Sequence, residues 1–333
     1  MDDHAGLSWQ WSRFGLGLLF ALPAMTVAPF DVTLAVALGI GVIPAAAFGL
    51  PPQRTGRAVI PVVGGLSSLG LLVGSLLATW PVVAVAAIFG FAVLASLNAT
   101  RGRWGQLILV LVLPMTGIGL SFSWSPVTFA FAACIVAGSV YAWLISLLWP
   151  ERDAPPRPPP PVPRGRAMLV YGILLGCAAA TAAAIGFALD LEHVGWATGA
   201  VLLVMRPVRG QLISRSIGRA VSVLLGAFAA AGLALLSPAD IVTGMLLGLV
   251  IGAMCASQES RWYIIPGFTT FLALTLIMTT SSEPPSERFA ERTVETLIGV
   301  GLALFFGAVL PSVVSFFLRA QRRSSVQRVA RRK

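Results

Sequence analysis

Apolar residues run in long continuous stretches along this chain, and charged residues and prolines are concentrated in the short breaks between them. A membrane-spanning helix needs about 20 mainly apolar residues, and about twelve such stretches occur. They do not alternate apolar and polar residues with period two, which favours helices over a β-barrel. The predicted spans are 13–30, 32–50, 58–79, 81–98, 105–123, 126–149, 167–188, 191–206, 220–237, 241–257, 262–280 and 294–317. An all-α polytopic membrane protein is therefore predicted.

Composition agrees with this interpretation. The chain is 57% hydrophobic and 11% charged, with a mean hydropathy of +0.87, whereas a soluble domain carries roughly twice that share of charged residues. Asp2 and Asp3 precede the first apolar stretch in place of the basic residues of a secretory signal. We therefore expect the first stretch to be a retained span.

The charges sort by side when the amino terminus is placed in the cytoplasm. Nearly all arginines, and the basic tail Arg319 to Lys333, then fall on the cytoplasmic side. The opposite side keeps only two arginines, Arg288 and Arg292, and collects Asp31, Asp190, Glu192, Asp240, Glu283, Glu287, Glu291 and Glu295. This bias predicts that both termini lie on the cytoplasmic side of the membrane. It accounts for the net charge of +10 through membrane lipid, with no nucleic-acid partner.

A proline-rich segment, ERDAPPRPPPPVPRGR at 151–166, divides the chain into two halves. It is typical of a stiff cytoplasmic spacer, and a docking site for a proline-binding domain is the alternative. The predicted domains are a first six-helix repeat at 1–150, this linker, a second six-helix repeat at 167–317, and a basic cytoplasmic tail at 318–333.

Short motifs recur between the two halves. Gly56-Arg57-Ala58-Val59 returns as Gly218-Arg219-Ala220-Val221, and Gly64 returns as Gly226, both at an offset of 162. Arg103-Trp104 returns as Arg261-Trp262 at an offset of 158. Because an even number of spans brings the chain back to its starting side, we expect two parallel repeats related by an axis along the membrane normal.

An arginine cluster follows the short apolar segment 194–205. RPVRGQLISRSIGR, at 206–219, has four arginines and no acid. The offset of 162 maps Arg206 and Arg209 into the apolar second span of the first half, which predicts that they lie at membrane depth beside a wet cavity or a partner. The alternative is a cytoplasmic loop whose arginines reach the lipid headgroups.

Glycines at helical spacing predict packed helix faces. Arginine is followed by glycine seven positions later at Arg57, Arg219 and Arg292, a separation close to two helical turns. Gly244, Gly248 and Gly252 form a ladder typical of close helix contact. The three cysteines lie in apolar segments without a CxxC pair and are predicted to be packing residues.

Sequence signatures of enzymes are absent. The chain has no HExxH, P-loop, GxSxG or GxGxxG motif, and the two histidines, His4 and His193, cannot form a zinc site alone. We therefore predict no enzyme, no cofactor and no metal site.

The second half resembles the fusaric acid resistance protein-like and aromatic acid exporter family over about residues 190–310. The resemblance rests on Trp196-Ala197, RPVRGQLISRSIGRAVSVLLGA (206–227), FTTFLALTLIMTT (268–280) and the segment Arg288 to Gly299. Ser222 and Val223 replace the Gly-Thr pair of the family pattern, and the Pro-rich linker stands where many members carry a large cytoplasmic domain.

This resemblance implies an inner-membrane exporter of aromatic or other small organic acids driven by the proton-motive force. The family is also similar to plant aluminium-activated malate transporters, in which arginines line an anion path. Cations at membrane depth favour a carboxylate. The predicted substrate-binding residues are Arg206, Arg209, Arg215, Arg219, Arg57, Arg261, Trp196 and Trp262.

Proton coupling needs a titrating group, and the candidates are Glu295, Arg292, His193 and Asp190. Glu295 follows Arg292 by three residues, so the two can pair along one helix face. Histidine ordinarily titrates near neutral pH. Solvated loop charges, and a purely structural pair for Glu295, are the alternatives.

Two other functions stay open at this stage. One is a passive organic-anion channel, and the other is a non-transporting membrane component that recruits an envelope-assembly or secretion partner through the linker and tail. A periplasmic adaptor protein and a second copy of the chain are further candidate partners.

Overall fold

The computed structural model describes residues 8–152, 163–207, 212–260, 264–280 and 283–313, and every regular element in these ranges is a helix. Twelve helices follow in chain order. They are α1 (Trp11–Val27), α2 (Val32–Phe48), α3 (Val59–Ala78), α4 (Pro81–Ala99), α5 (Arg103–Gly119), α6 (Pro126–Leu148), α7 (Arg166–Ala188), α8 (Val194–Val204), α9 (Leu212–Leu236), α10 (Asp240–Ala256), α11 (Ile265–Thr280) and α12 (Pro285–Leu304). Each falls on one predicted span, and the all-α prediction is confirmed.

The helices differ in length and regularity. α2 is interrupted at Val42, α5 contains a π-helical stretch at Ile108–Val112, and α12 continues as a π-helical turn at Phe305–Val309. Six helices are long and apolar enough to cross a membrane, judged by length and composition: α3, α4, α6, α7, α9 and α12. The other six are shorter apolar helices, and α8, with 11 residues, extends only about 16 Å, half of a bilayer core.

Two predicted boundaries are wrong in the same direction. Helix α9 begins at Leu212 and not at 220, and α12 begins at Pro285 and not at 294. The apolar pattern marks only the lipid-compatible part of a helix, whereas arginine and glutamate are good helix formers that extend it. Pro285 at the first turn of α12 and Glu287 beside it fit a helix amino terminus.

The helix packing is reciprocal between the halves. α1 packs on α10 as α7 packs on α4, and α2 packs on α11 as α8 packs on α5. Within the halves, α3 contacts α5 and α6 as α9 contacts α11 and α12, and α2 contacts α1 and α6 as α8 contacts α7 and α12. Each of these contacts therefore has a counterpart six helices along the chain.

Glycines lie where helices approach most closely, as their spacing predicted. The ladder of α10 faces α1: Gly244 and Gly248 lie against Met25, and Gly252 lies against Phe14. In α9, a β-carbon at Gly226 would overlap the backbone oxygen of Gly267 in α11. The prediction of packed glycine faces is confirmed at these positions, and the close contacts fix how deeply α9 sits against α11.

Candidate functional site

Arg219 lies inside the bundle and not in a loop. It is the eighth residue of α9, about 10 Å from the start of the helix, and only 5% of it is exposed. Its Nε atom has no hydrogen-bond partner among the described residues, and neither has the Ser216 hydroxyl one turn earlier. A buried donor without a partner is costly, so the Arg219 Nε atom lacks the hydrogen bond that a buried donor normally makes.

Two further arginines surround Arg219. Arg206 lies half-buried in the break between α8 and α9, and Arg292 lies in α12 with 8% of it exposed. Both are close enough to Arg219 for their charges to repel it. The break is held by Tyr171 of α7, whose hydroxyl donates a hydrogen bond to the Met205 carbonyl at 3.1 Å. Three cations from three segments of the second half therefore interact electrostatically.

Trp196 forms the wall beside Arg292. The Arg292 guanidinium carbon lies 4.2 Å from the centre of the indole ring, a cation–π contact. The His193 ring stacks on the same indole with centroids 4.2 Å apart. Trp196 is 6% exposed and also belongs to an apolar core cluster, so its ring is enclosed by His193, Arg292 and apolar side chains.

Glu295 is the acidic member of this region. It follows Arg292 by one turn of α12 and is 1% exposed, and neither carboxylate oxygen has a hydrogen-bond partner among the described residues. The Nε atom of Arg292 is likewise unpartnered. The Glu295 carboxyl and the Arg292 guanidinium therefore lie near each other without a hydrogen bond between them. A proton on Glu295 or an anion beside Arg292 would satisfy these groups.

A charged network covers this region at the end of the bundle where α7 ends and α12 begins. Arg288 donates to Glu192, with one contact at 2.9 Å, and to Glu291 at 3.0 Å, and it forms an ion pair with Glu283 at 3.2 Å. His193 Nδ1 lies 2.9 Å from a Glu291 oxygen. The network ties the α7–α8 turn to the first turns of α12.

The same network brings possible metal ligands together. The nearest ligand atoms of Glu192, His193 and Glu291 lie within 4.8 Å of one another. Arg288 already forms ion pairs with both glutamates, and its positive charge occupies the place that a cation would take. We therefore interpret this group as an ion-pair network and not as a metal site.

Arg57 has a different environment from the other predicted site arginines. It is fully buried, and its guanidinium donates to five backbone carbonyls, including those of Pro51 at 3.2 Å, Trp149 at 2.8 Å, Pro150 at 3.0 Å, and Ser146. The carbonyls at the carboxyl end of a helix lack partners within the helix. Arg57 therefore closes the carboxyl end of α6 and fixes it to the segment before α3.

The structure places the remaining predicted residues as follows. Arg215 is partly buried in α9, close to the charge of Arg206. Asp190 is exposed at the end of α7, in a left-handed conformation with φ of 51°. Arg209, Arg261 and Trp262 lie outside the described residues.

A cavity of about 460 Å³ opens elsewhere, between the first turn of α2 and the ends of α9, α10 and α11. Hydroxyl groups and one carboxylate line it, from Thr33, Asp240, Thr243, Thr275 and Thr279. Ala230 of α9 also lines this cavity. Ala230 lies eleven residues, or about 16 Å, beyond Arg219 along α9. The close contact of Gly226 with Gly267 lies between Arg219 and Ala230.

Sequence analysis did not single out Glu192, Arg288 or Glu291 as site residues, because they were interpreted as solvated charges on the outer side. The spacing Arg288, Glu291, Arg292, Glu295 carries the missing signal. Residues three and four apart share a helix face, so these four form a charged stripe once α12 is known to begin at Pro285.

Comparison with known proteins gives one match. Residues 169–306 match the family model described as fusaric acid resistance protein-like. The matched range spans α7 to α12 and contains the buried cluster, which consists of Trp196, Arg206, Arg219, Arg292 and Glu295. No curated protein and no solved structure matches the chain. The resemblance found in the second-half motifs is confirmed.

Proposed function

We propose that this protein, whose second half belongs to the fusaric acid resistance protein-like family, is a multi-pass membrane transporter that exports small organic anions, aromatic carboxylates among them, in exchange for protons. The cell's inner membrane, with both termini cytoplasmic, is the proposed location. The twelve spans and the two parallel repeats remain part of the proposal, which the reciprocal helix packing supports.

The observation that carries the proposal is the group of buried arginines. Arg219 and Arg292 are both nearly inaccessible and each keeps an unpartnered Nε atom, with Arg206 close by. Guanidinium groups at membrane depth are costly unless they face water or a counter-charge. A carboxylate meets the forked donors of arginine in a bidentate geometry, so we assign it to these three residues.

Glu295 distinguishes coupled transport from passive flow. A lone anion channel has no use for a buried carboxylate beside its cations, because that charge repels the permeating anion. A transporter that exchanges an anion for a proton does use it, because Glu295 neutralised by a proton leaves Arg292 to the substrate. The aromatic wall of Trp196, 4.2 Å from Arg292, makes aromatic acids the preferred substrate class to test.

The test is transport of radiolabelled benzoate by the purified protein in liposomes. Arg219→Ala should weaken transport by about tenfold to a hundredfold, because a hydrogen bond to a charged group contributes about 1.5–3 kcal/mol. Arg219→Lys keeps the charge but loses the forked pair of donors. Its rate of benzoate transport should lie between those of the wild type and Arg219→Ala.

Arg101→Ala is the matched control, because Arg101 is exposed and, among the described residues, its guanidinium donates to the nearby Asn98. Normal benzoate transport by Arg219→Ala would remove Arg219 from the site. Steady anion currents without a proton gradient would indicate a passive channel. Deleting 151–166 and the last fifteen residues should leave benzoate transport intact in a transporter, and loss of function in this variant would favour a recruiting component.

A further inference from the structure

Carboxylates and a histidine form a graded series between solvent and the buried cluster. The side chain of Glu192 is 55% exposed, that of Glu291 19% and that of His193 12%, whereas Glu295 is 1% exposed. We propose that Glu291 and His193 form a proton path from the outer end of the bundle to Glu295. This inference rests on the proposed function, since it supplies the proton that the exchange consumes.

The outer step of the path is the contact between His193 and Glu291. His193 Nδ1 and Glu291 Oε1 lie 2.9 Å apart, a hydrogen-bond distance at which one proton can belong to either group. The exposed Glu192 is adjacent to His193 in the chain and shares Arg288 with Glu291. A proton arriving from water therefore reaches the pair at a site that is already partly solvated.

The inner step runs along α12. Glu295 lies four residues after Glu291 on the same helix face, a rise of about 6 Å. Both of its oxygens are free of hydrogen bonds within the described residues, so its carboxylate can receive a proton without breaking an existing bond. A water molecule or a side-chain rotation bridges the remaining gap.

Arg288 acts as a positioning residue for this path. It forms ion pairs with Glu192, Glu283 and Glu291 together, which fixes one oxygen of Glu291 and leaves the other for His193. Without Arg288, three neighbouring carboxylates would repel one another. The path therefore depends on a cation that does not itself carry the proton.

The charged groups around Glu295 link its protonation to anion binding at Arg292. On α12 they are Glu291 and Arg292, and the α7–α8 turn contributes Glu192. The neighbouring helix α9 contributes Arg219, whose charge is repelled by that of Arg292. The described part of α11 carries no charged residue. An ionised Glu295 competes with the substrate for Arg292, and a protonated Glu295 does not, so the charge on Glu295 controls anion binding.

The test compares proton flux with anion exchange in the same liposomes. The full-length protein is reconstituted with a pH-sensitive dye inside, and both benzoate-driven proton movement and benzoate–benzoate exchange at equal pH are measured. Glu291→Gln should slow the proton-coupled process by about tenfold while exchange stays within about twofold of wild type. Glu291→Asp, which still titrates, should restore coupling in part.

Glu287→Gln is the matched control, because Glu287 is an exposed glutamate in the first turn of the same helix. Proton coupling in Glu291→Gln equal to that of Glu287→Gln would overturn the path. A parallel loss of exchange in Glu291→Gln would also overturn it, because it would place Glu291 in folding or anion binding. If the wild-type protein exchanges no aromatic carboxylate, the proposed function itself fails.

Discussion

Arg57 and Arg219 occupy the same place in the repeated motif Gly-Arg-Ala-Val, yet their surroundings differ. The Arg57 guanidinium is saturated by backbone carbonyls, three of them at the end of α6, whereas Arg219 keeps an unpartnered Nε atom and is repelled by the charges of two other arginines. The first half therefore uses its arginine to close a helix end. The second half leaves its arginine for a ligand, and we propose that this difference makes the second half the binding half.

Replacing Arg57 tests its role at the residue scale. Arg57→Ala leaves several buried carbonyls unpaired, and we expect the protein to lose about 2 kcal/mol or more of stability. The thermal unfolding midpoint in detergent measures the loss. Arg54→Ala, at an exposed position three residues earlier, should leave the midpoint unchanged. A midpoint for Arg57→Ala equal to that of Arg54→Ala would show that the carbonyl contacts do not support the fold.

At the scale of single helices, α9 and α12 are the elements that hold the site. Each begins with a charged stretch that continues without a break into an apolar one. Their polar faces turn inward, toward each other and toward α8, while their apolar faces remain compatible with lipid. The buried residues of α12 include Arg288, Arg292 and Glu295, so a single helix face carries the outer network, the cation and the buried carboxylate.

Two glycines of α9 offer a matched pair of substitutions. A β-carbon at Gly226 would overlap Gly267 of α11, whereas one at Gly232 meets nothing within 4 Å. Gly226→Ala should therefore destabilise the protein by about 1–3 kcal/mol, because overpacking forces the helices apart. Gly232→Ala should stabilise it slightly, by about 0.5 kcal/mol or more, through higher helix propensity. Unfolding midpoints of the two variants, compared directly, decide the matter, and equal shifts would refute the close approach of α9 and α11.

At the scale of the whole molecule, the two halves are joined by more than the linker. α1 of the first half packs on α10 of the second, and α7 packs on α4 in return. Two further contacts between the halves, α2 with α11 and α8 with α5, form a second reciprocal pair. A shared interface of this kind makes the halves one unit, and any movement between them must change these contacts.

Cutting the linker tests this packing. A protease site inserted between 153 and 162 is cleaved in the purified protein, and we expect both fragments to stay together on size-exclusion chromatography in detergent. Benzoate transport after reconstitution should match that of the uncut protein, because the interface and not the linker holds the halves. An uncut sample carrying the same insertion is the control. Separation of the fragments would show that the linker holds them together.

The sequence by itself determined the all-α class, the twelve helical segments and the family resemblance of the second half, because these depend on local apolar pattern and short motifs. It also indicated the glycine contacts, since helical spacing alone predicts a shared face. Its helix boundaries were wrong at α9 and α12, where hydropathy falls although the helix continues. The helical class, the segments and the glycine faces can be predicted without knowing which helices are neighbours.

Only the tertiary structure decided which charged residues act together. His193 and Glu291 are separated by 98 residues and lie 2.9 Å apart, and no local pattern specifies such a contact. The fold likewise gives Arg57 and Arg219 different partners although they share one motif. All donors of Arg57 are engaged, whereas the Nε atom of Arg219 is unpartnered. A side chain's chemical role depends on its partners and its burial, and in a helical bundle both are set by the neighbouring helices.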